Sequence, residues 1–268
     1  MSLWKAILLL AAAMAAGFAW GRSRPEGART GSIGAEFQSK TSLTASEVLS
    51  SLLRWGSEPE KEKEYEGAQE IVLPDPSQGN LTLEEAIDRR RSIRDYSGRP
   101  LPIASVSRLL HASSGITGEG GDPHLRSAPS AGALYPIETY VVAYRVEGIP
   151  SGIYHYRPSG HRLELIREGD FRDEFIAAGL HQDMAGRCNL LYILTAVFRR
   201  ATWKYGERGY RYAYIEAGAM SQNIYLQATS LGLGSVVMGA FFDDRVLDLI
   251  GVDGRKEAPI LLQAVGTR

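Results

Sequence analysis

Arg89, Arg90, Arg91, Ser92, Ile93 and Arg94 place four guanidinium groups and a hydroxyl within six residues. Guanidinium forks pair bidentately with phosphate oxygens and a serine adds a neutral donor, so the run suits a phosphate dianion. Cations at a helix end also complement the negative end of its dipole, and on these residues alone both readings stand. Arg90 and Arg94 would share a face if the helix continued and would converge on one point if the chain turned. A second group, Lys204 and Tyr205, sets an ammonium beside a phenol. Such a pair can deliver or take a proton when its surroundings shift its pKa values. It reads equally as a surface lysine and a packed tyrosine in an aromatic stretch with Trp203, Tyr210, Tyr212 and Tyr214.

Other chemistries find no support. There is no P-loop, and Gly232-Leu233-Gly234-Ser235-Val236-Val237 lacks the third glycine of a dinucleotide fingerprint and follows a helix instead of a strand. His111, His124, His155, His161 and His181 never pair at metal-ligand spacing, and one cysteine, Cys188, excludes a disulfide framework or a multi-cysteine metal centre. Ala128-Pro129-Ser130-Ala131-Gly132 mimics a hydrolase nucleophile elbow, but polar, turn-like chain precedes it where a buried strand is required. The 268 residues carry 30 Lys and Arg against 31 Asp and Glu, a net charge of −1, which argues against a general nucleic-acid binder. Only six of the 30 are lysine, so the basic side chains are overwhelmingly arginines.

The elements that must position these groups follow from pattern. Thr82 with Glu85 three residues on is a capping box, which predicts a helix running to about Arg90. A second helix fits Ile103 to Ser113. Strands are expected at Thr139 to Val146, as a hairpin at Gly152 to Tyr156 and Arg162 to Arg167, and at Leu190 to Phe198, Ser235 to Met238 and Ile260 to Val265. A long helix from about Tyr210 to Leu231 carries Ile215, Ala219, Ile224, Leu226 and Ala228 around much of its circumference, so burial on more than one face is expected. Helices and strands mix without regular βαβ alternation, the signature of an α+β fold.

Residues 1–21 read as a signal peptide or membrane anchor: Ala6 to Gly21 is uncharged and apolar, flanked by Lys5 and by Arg22, Arg24 and Arg29. Membrane attachment through residues 4–21, or export, is the expected localisation, with the cytoplasmic side also open. Residues 22–80 read as a polar extension with a short helix at Thr44 to Trp55 and a charged run at Glu58 to Glu66, and 81–268 as the folded domain.

Several segments in order carry a family resemblance. They are Arg90-Arg91-Ser92-Ile93-Arg94, Pro129-Ser130-Ala131-Gly132-Ala133-Leu134-Tyr135-Pro136, Lys204-Tyr205-Gly206-Glu207-Arg208-Gly209-Tyr210-Arg211-Tyr212, Glu216-Ala217-Gly218 with Gln222-Asn223, Leu231-Gly232-Leu233-Gly234 and Met238-Gly239-Ala240-Phe241. Together they resemble the FMN-dependent nitroreductase superfamily, in its SagB/ThcOx-type dehydrogenase branch, over about Leu81 to Arg268. The resemblance implies a central, mainly antiparallel sheet flanked by helices, with the long helix buried at a homodimer interface that holds two FMN sites. It implies that Arg90, Arg91, Ser92 and Arg94 hold the phosphate and ribityl chain. Ser130, Gly132, Ala133 and Leu134 would line the flavin from a loop, and Val237, Met238 and Gly239 would lie along the ring. Arg268 would reach the phosphate or the partner. Lys204 and Tyr205 match a pair that azoline-oxidising members use near the substrate. Val237 and Ala240 depart from the proline and glycine of many relatives. The implied chemistry is hydride transfer through flavin N5 with a small-molecule or peptide substrate, either reduction of nitro or quinone compounds by NADH or NADPH, or oxidation of an azoline. A flavin-binding protein without turnover is the reading from another class.

Overall fold

The computed structural model describes residues 33–43, 57–118 and 125–268. The expected helix at Thr44 to Trp55 and the apolar head at 1–21 lie outside the described residues. Among those described, no helix is long and apolar enough to cross a membrane.

Among the described residues nine strands occur in chain order: β1 (Glu70–Val72), β2 (Ile116–Gly118), β3 (Leu125–Arg126), β4 (Ile137–Ala143), β5 (Gly152–Arg157), β6 (Arg162–Glu168), β7 (Leu190–Ala196), β8 (Leu233–Met238) and β9 (Ala258–Thr267). Seven of them build one antiparallel sheet in the order β1-β6-β5-β4-β7-β9-β8, and β2 and β3 form a small separate ladder. The helices are α1 (Ile33–Lys40), α2 (Leu83–Arg89), α3 (Ile103–Ser114), α4 (Arg172–Ala178), α5 (Met184–Arg187), α6 (Phe198–Tyr205), α7 (Arg208–Ser230) and α8 (Asp243–Ile250).

β4 and β7 lie at the centre because they are nearly continuous apolar runs in which every residue is buried. Alternation along a strand sends Tyr140, Val142, Leu191 and Ile193 to one face and Val141, Ala143, Leu190 and Tyr192 to the other. The first face is covered by α4, α5 and α8 through Phe175, Ala178, Ala185, Val246 and Ile250. The second is covered by α3 and α7 through Val106, Leu109, Leu110, Ile224 and Ala228. This is the expected α+β architecture, a mostly antiparallel sheet between helices.

Three local features place the site. The Thr82 hydroxyl accepts from the Glu85 N–H at 3.3 Å while the Glu85 carboxylate accepts from the Thr82 N–H at 3.0 Å, so the predicted capping box starts α2. The strand expected to reach Phe198 ends at Ala196. The Val197 N–H donates to the Pro136 carbonyl at 2.8 Å, and Phe198 opens α6. α7 is buried along a wide arc that includes Ala213, Ala217, Met220, Ile224 and Ala228. Tyr214, Ile215, Gly218 and Gln222 form an exposed stripe on the other side, with Ile215 67% exposed.

Residues 57–73 run across the sheet. The Lys63 N–H donates to Glu138 at 3.1 Å, and its ammonium donates to Glu257 and to the Tyr140 phenol, each at 2.7 Å. Tyr65 packs edge-on against Tyr140 and tilts over His155. The chain then supplies β1 along the edge of β6.

Candidate functional site

The arginine run lies in extended chain. α2 stops at Arg89, Arg90 takes extended angles (φ −55°, ψ 123°), and the following residues lie along β8, with the Ile93 N–H donating to the Ser235 carbonyl at 2.9 Å. A glycine at 234 permits this approach, since a Cβ there would meet the Ile93 side chain at 2.7 Å. Tyr225, on α7, organises the group. Its phenol bonds the Ser92 hydroxyl at 3.3 Å and accepts from the Val237 N–H at 2.8 Å, while the Arg90 guanidinium stacks 5.2 Å from the ring centroid. Arg94 is exposed and donates to the Ser92 carbonyl at 3.5 Å, whereas Arg91 turns back onto the carbonyls of Asp88 and Arg90. Arg90, Ser92 and Arg94 therefore lie beside the end of β8, where Val237 is 39% exposed and a Cβ on Gly239 would meet nothing within 4 Å. Met238 buries its side chain in the core, so only its backbone is available on this edge. Cations with a hydroxyl beside an apolar, open strand end suit a ligand with a phosphate at one end and a flat ring at the other.

Arg268 follows Thr267, which pairs with Leu233 at the start of β8, and its carbonyl accepts from Arg99 at 2.5 Å.

The loop before β4 forms the second group. Gly132 has φ 65°, and Ala133 and Tyr135 share that left-handed conformation at φ 53° and 47°. For non-glycine residues this costs on the order of 1–3 kcal/mol each and must be held in place by neighbours. The Ser130 hydroxyl accepts from the Tyr135 N–H at 2.9 Å, and Leu134 is buried beneath the turn. A Cβ on Gly132 would meet the Tyr205 hydroxyl at 2.7 Å and the Lys204 ammonium at 3.2 Å. The two residues at the C-terminal end of α6 thus set their polar heads directly on the glycine of this loop. Burial raises the Tyr205 phenol above its ordinary value, and neighbouring Tyr212, edge-on at 4.9 Å, adds to the shift.

Glu216, on α7 behind the loop, is a group that the sequence did not mark for chemistry. It is 4% exposed, and its Oε2 has no hydrogen-bond partner among the described residues. Burial pushes its acid up from 4.5 to about 7, opposed by Ser130, Arg126 and Arg200. An acid whose folded pKa is raised loses stability as pH climbs from its unfolded value through the folded one. Replacing Glu216 with Gln should therefore raise the melting temperature at pH 8, by the equivalent of up to about 3 kcal/mol, and change it little at pH 5. Equal shifts at both pH values would show that Glu216 does not titrate there.

The two groups are distinct within one chain. Tyr225 holds the first and Tyr212 touches the second, thirteen residues apart on α7, which is roughly 20 Å at the helical rise. The exposed stripe of Tyr214, Ile215, Gly218 and Gln222 lies between them. Among the described residues no cluster of three or more His, Cys, Asp or Glu could hold a metal ion.

Comparison with known proteins fits this geometry. A provisionally named nitroreductase of Methanocaldococcus jannaschii is 39% identical over 199 residues, 74% of this chain and 96% of that protein. The microcin B17-processing protein McbC of Escherichia coli is 32% identical over 146 residues, which are 53% of this chain and 54% of McbC. Among solved structures, the E. coli microcin synthetase McbBCD complex with truncated pro-MccB17 bound superposes with a TM-score of 0.60 at 25% identity, covering 87% of this chain and 86% of that one. The sequence profile of the nitroreductase family matches residues 87–267, from within α2 through both groups to the last strand. The chain belongs to the nitroreductase family of oxidoreductases.

Proposed function

We propose that the chain is an FMN-dependent, SagB-type oxidoreductase that moves a hydride to or from a small organic or peptide-derived substrate, acting as a homodimer. Bound FMN supplies two-electron exchange at flavin N5. Arg90, Ser92 and Arg94 would bind its phosphate and ribityl chain, and Val237, Gly239 and the Met238 backbone would lie along its ring. Ser130, Gly132, Ala133 and Leu134 would approach from a second copy. The separation of the two groups supports this division, and the apolar stripe of α7 between them is a suitable surface for the second copy. The observation that carries the reading is the seating of the Lys204 ammonium and the Tyr205 phenol on Gly132. There an ammonium and a phenol can hold or release a proton beside whatever the loop lines.

Oxidation of an azoline within a peptide is the more specific reading. It is favoured by the Lys204–Tyr205 pair and by likeness to a protein named for processing microcin B17. Reduction of a nitro or quinone compound by NADH or NADPH is the competing direction. Purified protein should show a visible flavin spectrum, as isolated or after reconstitution with FMN. Under anaerobic conditions, bleaching by either nicotinamide supports the reductase, and a yellow protein that neither bleaches fits the azoline oxidase or a flavin-binding protein without turnover. Protein that stays colourless after reconstitution overturns all three.

The phosphate group has its own test. Arg94→Ala should weaken FMN binding by about 1.5–3 kcal/mol, roughly ten- to a hundredfold in Kd. Arg91→Ala should cost less, because Arg91 is turned onto backbone carbonyls. An Arg94→Ala protein with unchanged affinity would leave Arg94 a solvated side chain on extended backbone, with no part in cofactor binding.

A further inference from the structure

Residues 57–66 precede the residues that the family profile matches, yet they are tied to the second group of the site through one buried side chain. Arg200, 4% exposed, sits one helical turn before Lys204 on α6. Its Nε donates to the Glu60 carbonyl at 2.6 Å, its Nη1 to the Tyr135 carbonyl at 3.0 Å, and its Nη2 pairs with Glu138 at 2.6 Å. One rigid fork thus joins the crossing segment, the end of the strained loop and the start of β4. The Arg126 guanidinium repeats the connection: it stacks 4.4 Å from the Tyr135 ring centroid and donates to the Lys61 carbonyl at 3.3 Å. The segment is fixed in turn by Lys63, whose ammonium pairs with Glu257 and bonds the Tyr140 phenol while its backbone N–H takes the same Glu138 oxygen that Arg200 uses. At the loop's other face, the Val197 N–H ties Pro136 to the start of α6.

We propose that residues Glu60 to Tyr65 are a working part of the site, holding Arg200 so that it fixes the Ser130–Tyr135 loop and the helix that presents Lys204 and Tyr205. Arg200 is then a positioning residue and the crossing segment its clamp. The physical reason is the strain in the loop. Left-handed backbone at Ala133 and Tyr135 persists only when the surroundings over-determine it, and the Tyr135 carbonyl gets its fixed donor from Arg200. A lysine at 200 would keep the charge but could not present three donors in one plane. The claim rests on the proposed role of Lys204 and Tyr205, while the coupling itself can be measured without it.

The test uses the full-length, FMN-free protein and hydrogen–deuterium exchange, comparing wild type with Arg200→Lys and with Lys63→Met. Both variants should speed exchange by about tenfold or more at 130–136 and 198–206 while β7 and β9 stay as protected as in wild type. Exchange that rises in Lys63→Met only over 57–68, or in either variant evenly across the sheet, overturns the proposal; the second pattern would give Arg200 a general structural role. A second readout separates positioning from cofactor binding. After reconstitution and reduction with dithionite, Arg200→Lys should be reoxidised by menadione about tenfold more slowly, with FMN affinity within about threefold of wild type. An unchanged reoxidation rate also overturns it. Failure of the flavin reading would instead appear as wild-type protein that binds no FMN, with the exchange result still deciding the clamp.

Discussion

Replacing Lys204 by alanine should slow turnover roughly a hundredfold or more and leave the protein yellow, because the loss falls on proton transfer and not on cofactor binding. The expectation follows from position. The ammonium reaches the loop glycine, within 3.2 Å of where a Cβ would sit, and lies 5.7 Å from the centroid of the Tyr205 ring. The group proposed to bind phosphate lies beside Tyr225, elsewhere along α7, so removing the amine touches none of its donors. Tyr205→Phe keeps the ring and its edge contact with Tyr212 and removes only the hydroxyl. If both heads act on the same proton, Lys204→Ala with Tyr205→Phe should cost little more than the worse single change, since groups that act as a unit are not additive. The measurement is single-turnover reoxidation of the reduced protein alongside FMN affinity. A colourless Lys204→Ala protein would move the lysine into cofactor binding, and an unchanged rate would leave the pair as packing.

How much of this could be read beforehand depends on whether a signal is local. The capping box at Thr82 and Glu85, the apolar run of β7 and the β5–β6 hairpin are written in neighbouring residues, and each appears where expected. The contact of Lys204 and Tyr205 with Gly132 was not legible: the resemblance set the loop along the flavin and the pair near the substrate, and nothing in the spacing of residues 132 and 204 says they meet. Tyr225 was not legible at all: on a helix with an apolar arc it reads as one more packed aromatic, although it ties Ser92, Arg90 and Val237 together. Glu58 to Glu66 reads only as a charged run in a polar extension, because sequence does not distinguish a group in water from one facing a buried cation many residues away. The same blindness hid Glu138, Glu164 and His155, polar residues on strands whose partners lie on other strands.

His155→Leu should be the most damaging single change to stability, on the order of 3–5 kcal/mol, although the side chain lies away from both groups of the site. Both ring nitrogens face carboxylates, Nδ1 at 2.8 Å from Glu164 and Nε2 at 3.0 Å from Glu138, and an ionised carboxylate only accepts. With the Glu138 acid held far below neutral and the His155 pKa raised, the residue is a fully buried imidazolium below about pH 8. Burial alone would lower its pKa, but the two carboxylates outweigh it and raise it from 6.5 to about 8. Glu138 shows the counterpart. Burial opposes its charge, yet Arg200 and His155 hold its acid down at about 2. Leucine fills the volume but leaves two buried carboxylates short of a cation, which costs far more than a lost hydrogen bond. Adding Glu138→Gln and Glu164→Gln should recover part of the loss by removing the stranded charge. The pH dependence gives the sign. A base whose pKa is raised on folding stabilises fully below its unfolded value near 6.5 and loses that contribution as pH passes about 8, here about 2 kcal/mol. The depressed Glu138 contributes above its unfolded value and is lost only in strong acid. Glu216 pushes the same way, favouring its protonated form below about 7. Wild-type stability should therefore peak in weak acid, between about pH 4.5 and 6.5. The gap between wild type and His155→Leu should be widest in that window and narrow above pH 8. A gap that widens toward alkaline pH would show the imidazole to be neutral in the folded protein.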